Sequence, residues 1–290
     1  MKSALQPDPD QQLQVVLQDA IDHAAGAWLE SALQTLSTSN DINELGLYSA
    51  MARRKIGNAQ LETNPSLDTP FGSLSLHGWP LADLVRLRLI MRYMQANSGT
   101  QDSILKAYYR MGDEAEKIVL IRALILFAPD DAVLDIALDA GRCNSLNILS
   151  ALNIDNPFPA RFYPQPAFNQ MVLKALFTGL PISRIVGLEH CANDDLTRMC
   201  ESYVIERELA NRDVPVDIWL AIGTHATPQG KAKMLEYLAH ENPRHRMYAG
   251  QTLCKLIGGD AGIRSAIEQQ LRTEKDTNVG SLLLSCLDRV

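Results

Sequence analysis

Apolar side chains recur along this chain at three- and four-residue steps rather than at alternate positions, which is the spacing of helices with one buried face. Leu13, Leu17, Ile21, Ala24, Trp28 and Ala32 form the first such stripe and predict one helix over residues 9–36. Asp41 stands where an N-cap is expected, with Glu44 three residues on as its capping-box partner, opening a helix that runs towards Lys55 and stops at Gly57. Helices follow over residues 81–95, 101–110 and 113–127, the last with Ile118, Ile121, Leu124 and Leu126 inward and Glu114 and Lys117 outward. Pro129 and Asp130 open another through Ala140, and a short apolar helix covers 145–152. Beyond it the helical pattern resumes over 193–211, 216–223, 228–239, 243–257, 261–272 and 278–288. In the segment that Pro243 opens, Met247, Ala249 and Leu253 are spaced to pack while Arg246 stays in water.

Two stretches break the pattern. Residues 57–80 carry three prolines and three glycines among small polar residues and predict a long loop. Its best strand candidate, SLSL at 73–76, is too short to matter. The second stretch, NPFPARFYPQPAFNQMVLKALFTG at 156–179, packs four prolines and three aromatics ahead of a dense helical run. Its prolines hold the chain in extended or turn conformations. Phe158, Phe162 and Tyr163 are too apolar to stand in water together, so the loop should lie against a helical surface. A helix then begins at Pro164 or Pro166 and is ended by Gly179. Asn169 and Gln170 fall in its first turn, and a buried amide there must be hydrogen-bonded. Loop carbonyls are the expected partners of Asn169. The sharper alternative is that Arg161, Phe162, Tyr163, Asn169, Gln170 and Lys174 form a ligand or partner surface.

These elements predict an all-α fold of short helices, with a helix pair every ~35–50 residues, the spacing of HEAT-like α-solenoid repeats. The expected arrangement is an irregular right-handed stack of helical hairpins. It has an N-terminal hairpin at 1–56, the loop at 57–80 and a HEAT-like region at 81–290, in one continuous domain.

Charge and composition narrow the function classes. The net charge is −7, with Lys and Arg scattered among Asp and Glu. That argues against nucleic acid and anionic membranes as partners, because both attract clustered cations. The longest nearly uncharged apolar run, residues 118–128, contains Arg122 and is far short of the ~20 residues that span a bilayer. No secretory h-region is present at the N-terminus. Five cysteines without CxxC spacing suit a reduced compartment. A cytoplasmic, non-membrane protein is expected.

Motifs for chemistry are sparse. The closest histidine pair, His240 and His245, is separated by Pro243 and predicts a solvated turn between helices. His190 and Cys191 are adjacent in a turn, where neighbouring side chains diverge, so Cys191 reads as structural. LIGGDAGIR at 256–264 places Gly258 and Gly259 after one helix and Asp260 as the cap of the next, not a phosphate loop. Asp194 and Asp195 suit the N-terminal dipole of the helix after Asn193. No catalytic residue, metal site or cofactor is predicted.

From Asn169 to Phe177 (NQMVLKALF), through the Ile-Val-Gly-Leu turn at 185–188, Ala192 to Met199, Tyr203, Glu206-Arg207 and the pair Arg212 and Trp219, the chain resembles the EboA family. The detailed likeness covers residues 156–223. At Glu189-His190-Cys191 the chain departs from the basic residues that tend to follow this turn in the family. The resemblance implies a setting among a prenyltransferase-like membrane protein and metal-dependent hydrolase- or isomerase-like proteins encoded in one gene cluster. That set is linked to handling and export of secondary-metabolite precursors. It implies proteins of that cluster as partners and a small-molecule metabolite as cargo, and it transfers no catalytic residue. The combined expectation is a non-catalytic adaptor or accessory protein. Its rival is a small-molecule-binding protein or enzyme with a pocket beneath the loop at 156–166.

Overall fold

The computed structural model describes residues 8–127 and 131–288. Among them the fold is all-α, with seventeen α-helices and one two-stranded sheet. The chain divides into two compact units, Met1–Tyr163 and Pro164–Val290.

The first unit begins with α1 (Pro9–Gln18), α2 (His23–Leu36) and α3 (Ile42–Ile56). The single helix expected over 9–36 is therefore two. The chain turns between Gln18 and His23, and the Asp22 carboxylate accepts from Ala25 N at 2.8 Å to start α2. Aspartates favour such caps because their side chains compete for backbone donors. Asp41 caps α3 through Asn43 N rather than through a box with Glu44. The reciprocal box lies instead between Asp113 and Glu116, at 2.9 and 2.8 Å.

Residues 57–80 hold a hairpin in place of an unbroken loop. β1 (Ser66–Thr69) pairs antiparallel with β2 (Gly72–Ser75), with Leu67 opposite Leu74 and both buried. Gly72, at φ +142°, provides a turn conformation that other residues rarely adopt. The SLSL candidate at 73–76 therefore falls on β2 and does matter, whereas β1 gave no signal because so short a strand contributes so few inward side chains.

Four elements, α1, α2, α3 and α6 (Glu114–Ala123), pack around α4 (Leu81–Ala96), whose residues 81–91 are all buried. Its charges go inward with the rest. Arg86 Nη1 binds Asp83 at 2.7 Å and its Nε donates to Ser49 O at 3.2 Å. Arg88 Nε lies 3.5 Å from Asp10 Oδ1. Burial pushes the Asp83 and Asp10 carboxyls up, against the pull of these guanidiniums. The unit also contains α5 (Gln101–Met111), α7 (Asp131–Arg142), α8 (Leu146–Asn153) and α9 (Phe158–Phe162). The opening expected at Pro129 and Asp130 lies outside the described residues. A 3₁₀ turn at Leu124–Leu126 ends the 113–127 segment, and Ile118 and Leu126 are only half-buried.

The second unit comprises α10 (Gln165–Thr178), α11 (Leu188–Cys191), α12 (Asp194–Leu209), α13 (Trp219–Ile222), α14 (Pro228–Leu238), α15 (Pro243–Leu256), α16 (Ala261–Thr273) and α17 (Thr277–Leu287). As expected, Gly179 ends α10 in the left-handed conformation and Asp260 caps α16. The segment at 216–223 is shorter than its pattern suggested, since only Trp219–Ile222 is α-helical. Helix α15 packs against α13, α14 and α17, while α12 packs against α10 and α13. Trp219 is fully buried where these helices meet. Among the described residues no helix is long and apolar enough to cross a membrane.

Candidate functional site

The proline- and aromatic-rich stretch is a packed corner closed by α9 rather than an open loop. Asn156, buried ahead of Pro157, is its hub. Its Nδ2 donates to Ile121 O at 3.0 Å and Ala151 O at 2.9 Å, while its Oδ1 accepts from Phe158 N at 3.0 Å. Phe158 is fully buried and its ring lies 5.0 Å from that of Phe162, which in turn meets Phe71 edge-on at 5.4 Å. Tyr163 Oη donates to Ala137 O at 2.5 Å, and burial pushes its phenol well above the ordinary range. Arg161 is exposed.

Asn169 is buried, as its position on α10 implied, but its partner is not a loop carbonyl. It exchanges two hydrogen bonds with the Asn193 amide, at 3.1 and 2.9 Å. Asn193 in turn caps α12 by accepting from Leu196 N at 3.0 Å. The pair therefore braces α10 against the start of α12. Gln170 is exposed and Lys174 is half-buried. The six residues singled out from the sequence fall three to each unit.

A second region of the same unit has the shape of a binding site. Between α12 and α14 runs a groove of about 380 Å³. Its floor is Val204, Trp219 and Ile222, all buried, and one wall is Ile205, which is 49% exposed. The opposite wall, on α14, is formed by Gln229, Gly230, Ala232, Lys233 and Glu236. An added Cβ at Gly230 would run into Glu201 Oε1, so a larger residue there requires that carboxylate to move. That carboxylate accepts from Thr227 N at 2.9 Å and Thr227 Oγ1 at 2.8 Å, and Thr227 Oγ1 accepts from Gly230 N at 3.1 Å. Glu201 and Thr227 thus latch the first turn of α14 to α12. At the other end, Lys233 Nζ lies 2.9 Å from Glu208 Oε2 and 2.9 Å from Glu236 Oε2. These bonds hold its ammonium above the usual lysine range. Tyr237 Oη also donates to Glu208, at 3.0 Å.

Behind the floor lies a histidine that the sequence placed in water. His245 is buried, and its Nδ1 accepts from Trp219 Nε1 at 3.2 Å. Burial first, then neighbouring His240, lowers its pKa from 6.5 to about 4. Tyr237 stacks on His240, with parallel rings 5.0 Å apart, and tilts against Trp219 at 4.5 Å. The expected solvated turn is therefore an aromatic cluster, because α13 and α14 cover it. Arg246 is likewise not in water: its fork meets Glu274 at 2.8 and 2.6 Å, and its Nη1 donates to the carbonyls of His240 and Glu241. The pairing depresses the Glu274 pKa to about 2.

Around α11, Glu189 pairs with Lys255 at 2.7 Å, and burial pushes the Cys191 thiol up, away from a reactive thiolate. Among the described residues no group of three or more His, Cys, Asp or Glu could hold a metal ion.

Comparison with curated proteins and with solved structures finds no match in either set. A family model described as "Metabolite traffic protein EboA" matches residues 10–223, a span that takes in α12 and the groove floor and stops ahead of α14. The chain belongs to the EboA family.

Proposed function

We propose that this chain serves metabolite traffic as a non-catalytic accessory protein that holds a small, largely apolar metabolite between α12 and α14. It does so in the cytoplasm, on a HEAT-like helical scaffold, while proteins encoded in the same gene cluster act on the cargo. The family description supports the traffic role. The groove itself carries the binding role. Its volume of about 380 Å³ lies within the roughly 300–1,000 Å³ of small-molecule sites, and its floor is apolar. Glu201 is bonded by Thr227 and Glu236 by Lys233, which favours holding a cargo over transforming it.

The test is methyl NMR with a rigid neutral probe, 1-naphthalenemethanol. The Ile205 and Ile222 methyl signals should shift and saturate. Ala232→Trp, a change at an exposed position of α14, should abolish those shifts while the protein stays folded. Binding that leaves these methyls unmoved, or that survives Ala232→Trp, rules the groove out.

A further inference from the structure

The charges around the α12–α14 groove do not balance, and the imbalance specifies the cargo further than its shape does. Glu208 and Glu236 share the single ammonium of Lys233. Glu201, at the other end, has both oxygens hydrogen-bonded by Thr227 and faces no cation among its hydrogen-bond partners. The lining carries two carboxylates, Glu201 and Glu236, against the one ammonium of Lys233, and Glu208, which shares that ammonium from outside the lining, adds a further negative charge. The floor between them is Val204, Trp219 and Ile222, which offers no counter-charge. A carboxylate or phosphate head entering here would meet a surplus of like charge. An ammonium head would meet Glu201 at one end or Glu236 at the other. Glu236 is the freer of the two, being largely exposed and bound on α14 only to Lys233, one turn away.

We infer that the groove selects amphiphiles with an apolar body and a protonated amine, and disfavours carboxylates of the same shape. This rests on the groove being the binding site. The body lies along Trp219 and Ile205. The amine donates to Glu236, with Lys233 keeping Glu208 as its own partner. Neutral alcohols fall between, since they can donate to a carboxylate without the charge attraction.

Three probes with one body separate these cases: 1-naphthylmethylamine, 1-naphthalenemethanol and 1-naphthoate, titrated at neutral pH and low ionic strength with the Ile205 and Ile222 methyls as reporters. The amine should bind at least tenfold more tightly than the carboxylate, with the alcohol between them. The gap should narrow at high salt, as screening requires. Glu236→Gln, which keeps side-chain length and a hydrogen bond to Lys233, should weaken the amine at least threefold more than it weakens the alcohol. Equal or tighter binding of the carboxylate at the same methyls overturns the charge selection and leaves the groove intact. A preference unmoved by Glu236→Gln overturns the assignment of Glu236. Failure of all three probes at these methyls removes the groove and this inference together.

Discussion

Phe158 and Phe162 stand 5.0 Å apart with Phe71 against them, and Asn156 fastens the corner beneath. In the second unit Trp219, Val204 and Ile205 face Gly230 and Ala232 across open space. Both regions use apolar side chains, yet one closes on itself and the other does not. The difference lies in what stands opposite. In the corner, large rings meet large rings and fill the volume, as interiors usually do. In the groove, Val204, Trp219 and Ile222 face a wall of mixed size that includes Gly230 and Ala232, and the carboxylate of Glu201 must move for anything larger at residue 230.

Three experiments press on this contrast. Phe158→Ala has the largest expected effect. It hollows the corner and should cost about 3–5 kcal/mol in denaturant unfolding, while naphthyl binding at the Ile205 and Ile222 methyls is retained. A loss below 1 kcal/mol would show that the corner is not packed as described. Gly230→Ala comes next. In a helix that exchange ordinarily gains up to ~1 kcal/mol. Here the new Cβ displaces the Glu201 carboxylate, so a net loss of about 1–3 kcal/mol is expected, together with weakened probe binding. A stabilised variant would refute the latch.

A third effect comes from acid acting on the support behind the groove floor. His245 has its folded pKa lowered to about 4 from 6.5, so the unfolded chain binds a proton more readily than the folded one between these values. Its contribution is complete above pH 6.5 and is lost as pH falls towards 4. Stability measured over that window should decline in the wild type and decline less in His245→Gln. An equal slope in the two would place His245 outside the pH response.

Much of the helix layout was legible, because long amphipathic stripes such as those ending at Gly179 or opening at Asp260 need only local information. The interruption at Asp19–Asp22 was not, since Leu13, Leu17, Ile21 and Ala24 stay in phase across it. Buried charge was equally hidden. Arg246 reads as a wet position, and only Glu274, 28 residues on, reveals otherwise, while the buried partners of Arg86 and Arg88, Asp83 and Asp10, leave no periodic trace. Asn169 was recognisable as a buried amide, but its bond to Asn193 depends on two helices meeting. Asn156 could have been found from the Asn-Pro pair, a turn initiator that holds its own backbone. The groove had no local signature at all: Gly230 and Glu201 lie on different helices, and neither is unusual alone.

The Glu201–Thr227 latch has a consequence for how cargo and chain communicate. The same carboxylate closes the first turn of α14 and borders the groove, so anything held between α12 and α14 adds to the cost of parting them. The Gly230 amide, tied to Thr227 Oγ1, is shielded only while that turn stays closed. On the proposed binding role, its rate of hydrogen exchange is a gauge of occupancy built into the backbone, expected to slow when the groove is filled.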